Sequence, residues 1–235
     1  MKFQPEDVLK MLKSLGDPAA VAGMARFGIN PENTYGVSVP ALRRMAKEIG
    51  RDHVLAQRLW ASGIHEARLL AGLVDDPAAV NEAQMEAWAK DFDSWDVVDG
   101  SCSNLFEKTP FAYQKAVAWA GRREEYVKRA GFVLMARLAV GTKKADDKTL
   151  ETFLPYIERE ADDTRNFVKK AVNWALRQIG KHSPALNRKA IATARQIAQQ
   201  DSPGARWIAA DALRELTSPA VQARLRAKSG GQAAN

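Results

Sequence analysis

The chain has 235 residues, of which 46% are apolar and 27% charged, enough to bury a substantial core and to exclude disorder as the default state. Lys and Arg outnumber Asp and Glu by 35 to 28, a formal net charge of +7 that suits an acidic polymer or surface as partner without specifying one. A single cysteine, Cys102, excludes an intrachain disulfide; with Lys2, Glu6, Asp7, Lys10 and Lys13 breaking up the first helix-length segment and no uncharged run near ~18 residues, a cytoplasmic protein with no membrane partner is expected.

From the N-terminus onward the apolar residues recur at helical spacing and nowhere show the sustained alternation of a sheet, so the expected fold class is all-α. Gly16-Asp17-Pro18, Asn30-Pro31, Val39-Pro40, Asp76-Pro77, Thr109-Pro110, Ser183-Pro184, Ser202-Pro203 and Ser218-Pro219 separate the periodic runs. In several of them Pro follows a capping residue, as where a helix begins. About a dozen helices, most of ~8 to 20 residues, follow from this punctuation. The segment from Asp93 to Phe106 is predicted to be a helix capped by Asp93 or Ser94, with Val98, Cys102 and Leu105 as its core stripe and Trp95 at the edge of that stripe. Asp99, one turn after Trp95, lies on the far side of the Trp from the stripe, so a carboxylate and an indole share one edge. Asp96 suits the first turn, where an acid complements the macrodipole. Asp99 stands deeper, and an ion pair to a neighbouring helix is the plainer alternative to a functional role.

The next long helix, Arg123 to Val140, is apolar on nearly every side and is expected to be an inner one. Lys128 and Arg129 sit near its N-terminal end, where cations are disfavoured unless an anion is bound there. The alternative is pairing of Glu125 with Arg129 across one turn, worth only about 0.3–0.5 kcal/mol at a surface. Helix Arg165 to Lys181 carries a broad apolar face of Phe167, Ala171, Val172, Ala175, Leu176 and Ile179. Lys170, Trp174, Arg177 and Lys181 fall together on another face, three cations around one large aromatic, as contact with a phosphate and sugar backbone would use. Solvated cations around a Trp folded over the core are the alternative. Ser229 to Asn235 is expected to be a disordered tail behind one domain of residues 1–228.

Internal similarity organises these helices. Lys128 to Arg137 aligns with Lys169 to Arg177, Arg206 to Arg214 carries a similar pattern, and Glu66 to Ala71 a looser one. A period of roughly 40 residues is that of HEAT-like helix pairs, although any two Ala- and Leu-rich helices share some likeness. The expected architecture is a curved α-solenoid of stacked HEAT-like pairs, whose concave surface would suit an extended polyanion. The histidines His53, His65 and His182 lack metal-ligand spacing, and no phosphate-binding loop, dinucleotide fingerprint or nucleophile elbow is present in the sequence. No metal and no cofactor is expected, so any chemistry must need little more than a carboxylate and a basic groove.

Three segments, Asp93-Ser94-Trp95-Asp96-Val97-Val98-Asp99, Tyr126-Val127-Lys128-Arg129-Ala130-Gly131-Phe132-Val133 and Phe167-Val168-Lys169-Lys170-Ala171-Val172-Asn173-Trp174-Ala175-Leu176-Arg177, resemble the AlkD-type DNA alkylation-repair glycosylases. The likeness extends from Tyr35-Gly36-Val37-Ser38-Val39-Pro40 to the helix after Asp201-Ser202-Pro203. It implies a C-shaped HEAT-like stack that grips duplex DNA, with an essential aspartate, an arginine and two tryptophans lining the lesion. On this chain the aspartate matches Asp99, the tryptophans Trp95 and Trp174, and the arginine Arg129, with Arg137 as the second candidate. The implied activity is excision of N3- or N7-alkylated purines from double-stranded DNA, by an enzyme expected to act as a monomer.

The chemistry agrees with that resemblance. Alkylation at N3 or N7 leaves the purine positively charged, so it departs without protonation by the enzyme. A carboxylate can then stabilise the oxocarbenium-like sugar and orient water, indole faces can attract the cationic sugar, and an arginine can hold a phosphate. Lys128, Lys170, Arg177 and Lys181 complete the expected DNA-binding set. The competing expectation is a helical-repeat protein that binds DNA or structured nucleic acid without catalysis, for which Asp99 would be dispensable.

Overall fold

A computed structural model describes residues 3–141 and 145–232. Among the described residues there are fifteen α-helices, one short 3-10 turn and no strand. The helices group into two compact units, Met1–Phe111 and Ala112–Asn235, where the sequence reading treats residues 1–228 as one domain. No helix among the described residues is long and apolar enough to cross a membrane.

The first unit holds α1 (Pro5–Ser14), α2 (Pro18–Ala25), α3 (Val39–Ile49), α4 (His53–Ala61), α5 (His65–Val74), α6 (Glu82–Lys90), α7 (Trp95–Asn104) and the 3-10 turn Phe106–Lys108. Side-chain caps set three of the seven α-helix starts in this unit. Asp17 accepts hydrogen bonds from the backbone N–H groups of Ala19 and Ala20 ahead of Pro18, Asp52 from Leu55, and Asn81 from Gln84, which satisfies donors that a helix start leaves open. Asn30-Pro31 and Asp76-Pro77 open no helix. Their side-chain oxygens accept from Glu32 N and Ala78 N instead, closing local turns. The central helix α5 packs against α3, α4 and α7, and its Ala67, Leu70, Ala71 and Val74 are fully buried. Beside it the rings of Trp60 and Trp88 stack 3.9 Å apart with 4° between planes. Trp60 Nε1 donates to Asp91 at 2.9 Å, and the Arg68 guanidinium lies 5.4 Å over the Trp60 ring, so the polar edge of the pair is satisfied while its faces are packed.

The second unit holds α8 (Ala112–Ala120), α9 (Glu125–Gly141), α10 (Asp147–Glu151), α11 (Leu154–Arg159), α12 (Asn166–Gly180), α13 (Pro184–Ile197), α14 (Pro203–Leu216) and α15 (Pro219–Gln232). The three helices that carry the aligned segments are neighbours: α12 packs on α9 and on α14, with α8 backing α9 and α13 backing α12 and α14. This is the stacked-pair arrangement that the ~40-residue period predicts. As expected for an inner helix, α9 buries an unbroken run from Arg129 to Ala136. A Cβ built on its Gly131 would stand 2.5 Å from Ala120 N, so only glycine lets α8 and α9 approach this closely. Trp119, Phe132, Phe153, Leu134 and Met135 fill the core around that contact, each large apolar side chain contributing about 1.5–3 kcal/mol by burial. The last helix runs to Gln232, so the part of the expected tail up to that residue is helical; residues 233–235 lie outside the described residues.

Candidate functional site

In the first unit α3, α5 and α7 surround a cleft of about 230 Å³, lined by Leu42 and Arg43 of α3, Leu69 and Leu73 of α5, and Asp96 and Asp99 of α7. Val97, Val98 and Cys102 are fully buried, and this apolar stripe leaves the other edge of α7 to its carboxylates. Trp95 and Asp99 occupy consecutive turns of that helix, both half-buried. The Trp95 ring is held by a hydrogen bond from Nε1 to the Phe27 carbonyl, 3.1 Å. Arg43 is exposed, which sets a cation on the α3 wall of a cleft that contains two acids. Spacing within one helix brings out Trp95 and Asp99 but not Arg43, because the latter joins them only through the packing of α3 on α5.

Two consecutive residues at the start of α5 position both walls. His65 is buried and its Nε2 lies 2.9 Å from Asp96 Oδ2, while the Ser94 hydroxyl donates to the other Asp96 oxygen at 2.5 Å. Asp96 therefore does more than complement the helix dipole: it ties the first turn of α7 to α5. Glu66, fully buried, accepts from the backbone N–H groups of Tyr35 (2.9 Å), Gly36 (2.6 Å) and Val37 (3.1 Å). That clamp fixes the loop that enters α3 and hence Leu42 and Arg43. Neither clamp is visible in the sequence, since each joins residues about 30 positions apart.

The His65–Asp96 pair makes stability depend on pH. Burial pulls the His65 pKa down, but the hydrogen bond and charge of Asp96, aided by Glu66 and Asp93, outweigh it and raise the pKa above the ordinary 6.5. Burial likewise pushes Asp96 up, and the His65 hydrogen bond and charge, with Ser94, bring it net below 3.8. A raised histidine contributes stability that is complete below 6.5 and is lost as pH rises through its folded value; a lowered aspartate contributes stability complete above 3.8 and lost as pH falls through its own. Urea unfolding of the parent should thus show stability declining from pH 6.5 upward, and His65→Asn should flatten that decline. An unchanged slope in the variant would assign the decline to other groups.

In the second unit Arg129 is 6% exposed and its Nη1 donates to the Phe167 carbonyl at 2.7 Å, joining α9 to the start of α12. Lys128, expected to bind DNA, is paired with Glu160 at 2.5 Å and Asp163 at 3.3 Å. Burial pushes both acids up, but the Lys128 bond on Glu160 and the Arg165 bonds on Asp163 hold them below their ordinary ranges. Arg177 and Lys181 are also paired within the fold. Arg177 pairs with Glu215 at 2.5 Å and Asp211 at 3.5 Å, and Lys181 with Glu215; with Asn173 donating to Asp211 at 2.7 Å, they form a polar ladder between α12 and α14. Helical spacing shows that these cations share a face and cannot show that acids of α14 stand opposite.

Of the four residues predicted on that face, Lys170 is exposed and Trp174 is half-buried one turn on. Arg137 is half-buried on α9. One residue missed by the sequence reading belongs with Lys170. Trp207 of α14, which takes the repeat position of Lys170, is 41% exposed with the Lys169 ammonium 4.9 Å over its ring. Its signal was present in the aligned segment Arg206 to Arg214.

Taken together, stacked helix pairs with a carboxylate-bearing cleft define a helical-repeat protein of the HEAT-like class. A solved structure of this fold, from a new family of proteins related to the HEAT-like repeat DNA glycosylases with affinity for branched DNA structures, matches with a TM-score of 0.75 at 20% sequence identity, over 92% of this chain and 96% of that chain. The family model for DNA alkylation repair enzymes matches residues 8–216, and the chain belongs to that family. A designed armadillo repeat protein in complex with a basic peptide reaches a TM-score of 0.37 at 15% identity, over 80% of this chain and 90% of that one, too low to carry an argument. No functionally curated protein matches the sequence.

Proposed function

We propose that the protein is a DNA glycosylase that releases positively charged N3- or N7-alkylated purines from duplex DNA. The observation that carries this reading is the placement of Asp99: a half-buried carboxylate in an open cleft, one turn after Trp95, in a chain of the DNA alkylation repair family. A cationic purine is already a good leaving group, so the enzyme need only favour the positive charge that develops on the deoxyribose. Asp99 supplies that field and holds the attacking water. Trp95 adds an aromatic face for the cationic sugar. Exposed Arg43 and Lys170 are suited to backbone phosphates. The resemblance gives Trp174 the second aromatic face and Arg129 or Arg137 the phosphate that registers the lesion. The proposal includes action as a monomer in the cytoplasm, with no cofactor.

The test is release of free base from a duplex carrying one N7-methylguanine or one N3-methyladenine, followed over time against the spontaneous rate. Release above background from either substrate supports the reading, and background release from both overturns it. The second reading is a binder without catalysis, to which the affinity of the structural neighbour for branched DNA lends a candidate ligand. Tight binding of a four-way junction with no base release would select it.

A further inference from the structure

The three inner helices of the second unit carry one repeat position in turn: Arg129 on α9, Lys170 on α12 and Trp207 on α14. Arg129 is buried and Lys170 is exposed, and at the third place an indole, 41% exposed, stands where the helix before it presents a cation. Trp207 is the one large apolar side chain exposed on α12, α13 or α14 among the described residues. Its surroundings are cationic. The Lys169 ammonium lies 4.9 Å over the ring, held by the attraction of a π face for a cation, and exposed Lys170 is the next residue along α12. The acids on this side are already engaged. Asp211, one turn after Trp207, accepts from Asn173 and pairs with Arg177 and Arg214, and Asp201 pairs with Arg206. Among the described residues no carboxylate is left to pair with Lys169 or Lys170.

The exposed apolar residues of α14 beside the ring, Pro203 and Ala210, add little area, and charged groups, which the core of a protein interface excludes, surround it. One indole between unpaired ammonium groups suits a different partner. The backbone of DNA alternates an apolar sugar with an anionic phosphate, so a ring can cover the C–H groups of a deoxyribose while cations beside it meet the phosphates on either side. We propose that Trp207 packs against a sugar of the duplex backbone, with Lys169 and Lys170 on the flanking phosphates. The subsite lies one helix along the stack from Trp174, since α14 packs on α12. Contact at the backbone leaves the bases stacked and carries no sequence information, so this part of the second unit holds undamaged DNA. The inference rests on the nucleic-acid reading above and is independent of base release.

The experiment measures the affinity of the full chain for an unmodified, blunt-ended duplex by fluorescence anisotropy, with a melting curve for each variant to show that it is folded. Trp207→Ala should bind about tenfold more weakly, the scale at which a large aromatic counts at an interface, and Trp207→Phe, which keeps a flat apolar face, should recover most of the loss. Lys169→Gln should also weaken binding. The double variant should fall short of the product of the two losses, because the ring and the ammonium over it serve one subsite. Equal affinity of Trp207→Ala and the parent would overturn the assignment, and is the result expected if the ring serves a protein partner. Losses that simply multiply would overturn the shared subsite. A Trp207→Ala loss seen on a single strand and absent on the duplex would overturn it too, giving the ring to an unpaired base. A parent that binds no duplex overturns the nucleic-acid reading and this inference with it, whereas a parent that binds but releases no alkylated base, with the Trp207 effect intact, overturns the glycosylase alone.

Discussion

Asp99→Asn should lower the rate of base release by roughly a hundred- to a thousandfold, the scale found when one preorganised electrostatic group is removed from a transition state, while duplex binding stays intact or strengthens. The asymmetry follows from charge. A carboxylate in the Asp99 cleft is unfavourable beside phosphates in the ground state and favourable only when the sugar becomes cationic, so neutralising it relieves the first and forfeits the second. Asn has the same shape and the position is half-buried, so folding should be preserved. Single-turnover release from an N7-methylguanine duplex, beside fluorescence anisotropy for binding, separates the two effects. Equal release by variant and parent would remove Asp99 from the chemistry and leave the enzyme standing.

Glu66→Ala should produce the largest loss of stability. Its fully buried carboxylate is the shared acceptor for three successive backbone N–H groups, those of Tyr35, Gly36 and Val37, and truncation strands them with no acceptor in reach. Removing one partner from a buried charged network costs about 3–5 kcal/mol, a large share of the roughly 5–15 kcal/mol that holds a domain together. No other residue can readily replace Gly36 either: its φ is +84° and a Cβ there would collide with the Asp17 carbonyl, so glycine is needed for the turn that aims these amides at Glu66. Thermal and urea unfolding of Glu66→Ala should show the loss, and Glu66→Gln, which keeps one acceptor oxygen, should recover part of it. A loss below about 1 kcal/mol for Glu66→Ala, the size of a single ordinary hydrogen bond, would show that the loop is held by something else.

The elements most legible in the sequence were those whose pattern is local. The expected helix Arg165 to Lys181 is observed as Asn166–Gly180 with those two residues as its caps, because a broad apolar face leaves little freedom in where it begins and ends. Asn30-Pro31 and Asp76-Pro77 misled as helix starts for a physical reason: an N-cap and a local turn use the same side-chain acceptor on a nearby N–H. The Trp95–Asp99 edge of α7 could be drawn from periodicity alone. The residues that position it could not. His65 and Glu66 act on partners about 30 positions away, and the acids facing Lys128, Arg177 and Lys181 come from other helices. A single-helix reading therefore finds which side chains share a face and misses what that face meets.

The ladder between α12 and α14 bears on how tightly the chain can hold a polyanion. When a protein cation meets a DNA phosphate, a condensed counterion is released into bulk solution, and each such event contributes about −0.9 to the slope of log affinity against log salt. Cations already balanced inside the fold, such as Arg177 and Lys181 by Glu215 and Lys128 by Glu160, would have to give up an acid partner to make that exchange. On the proposed function the slope would weigh exposed cations like Arg43 and Lys170 most, and the formal charge of +7 would overstate how many ions leave the double helix.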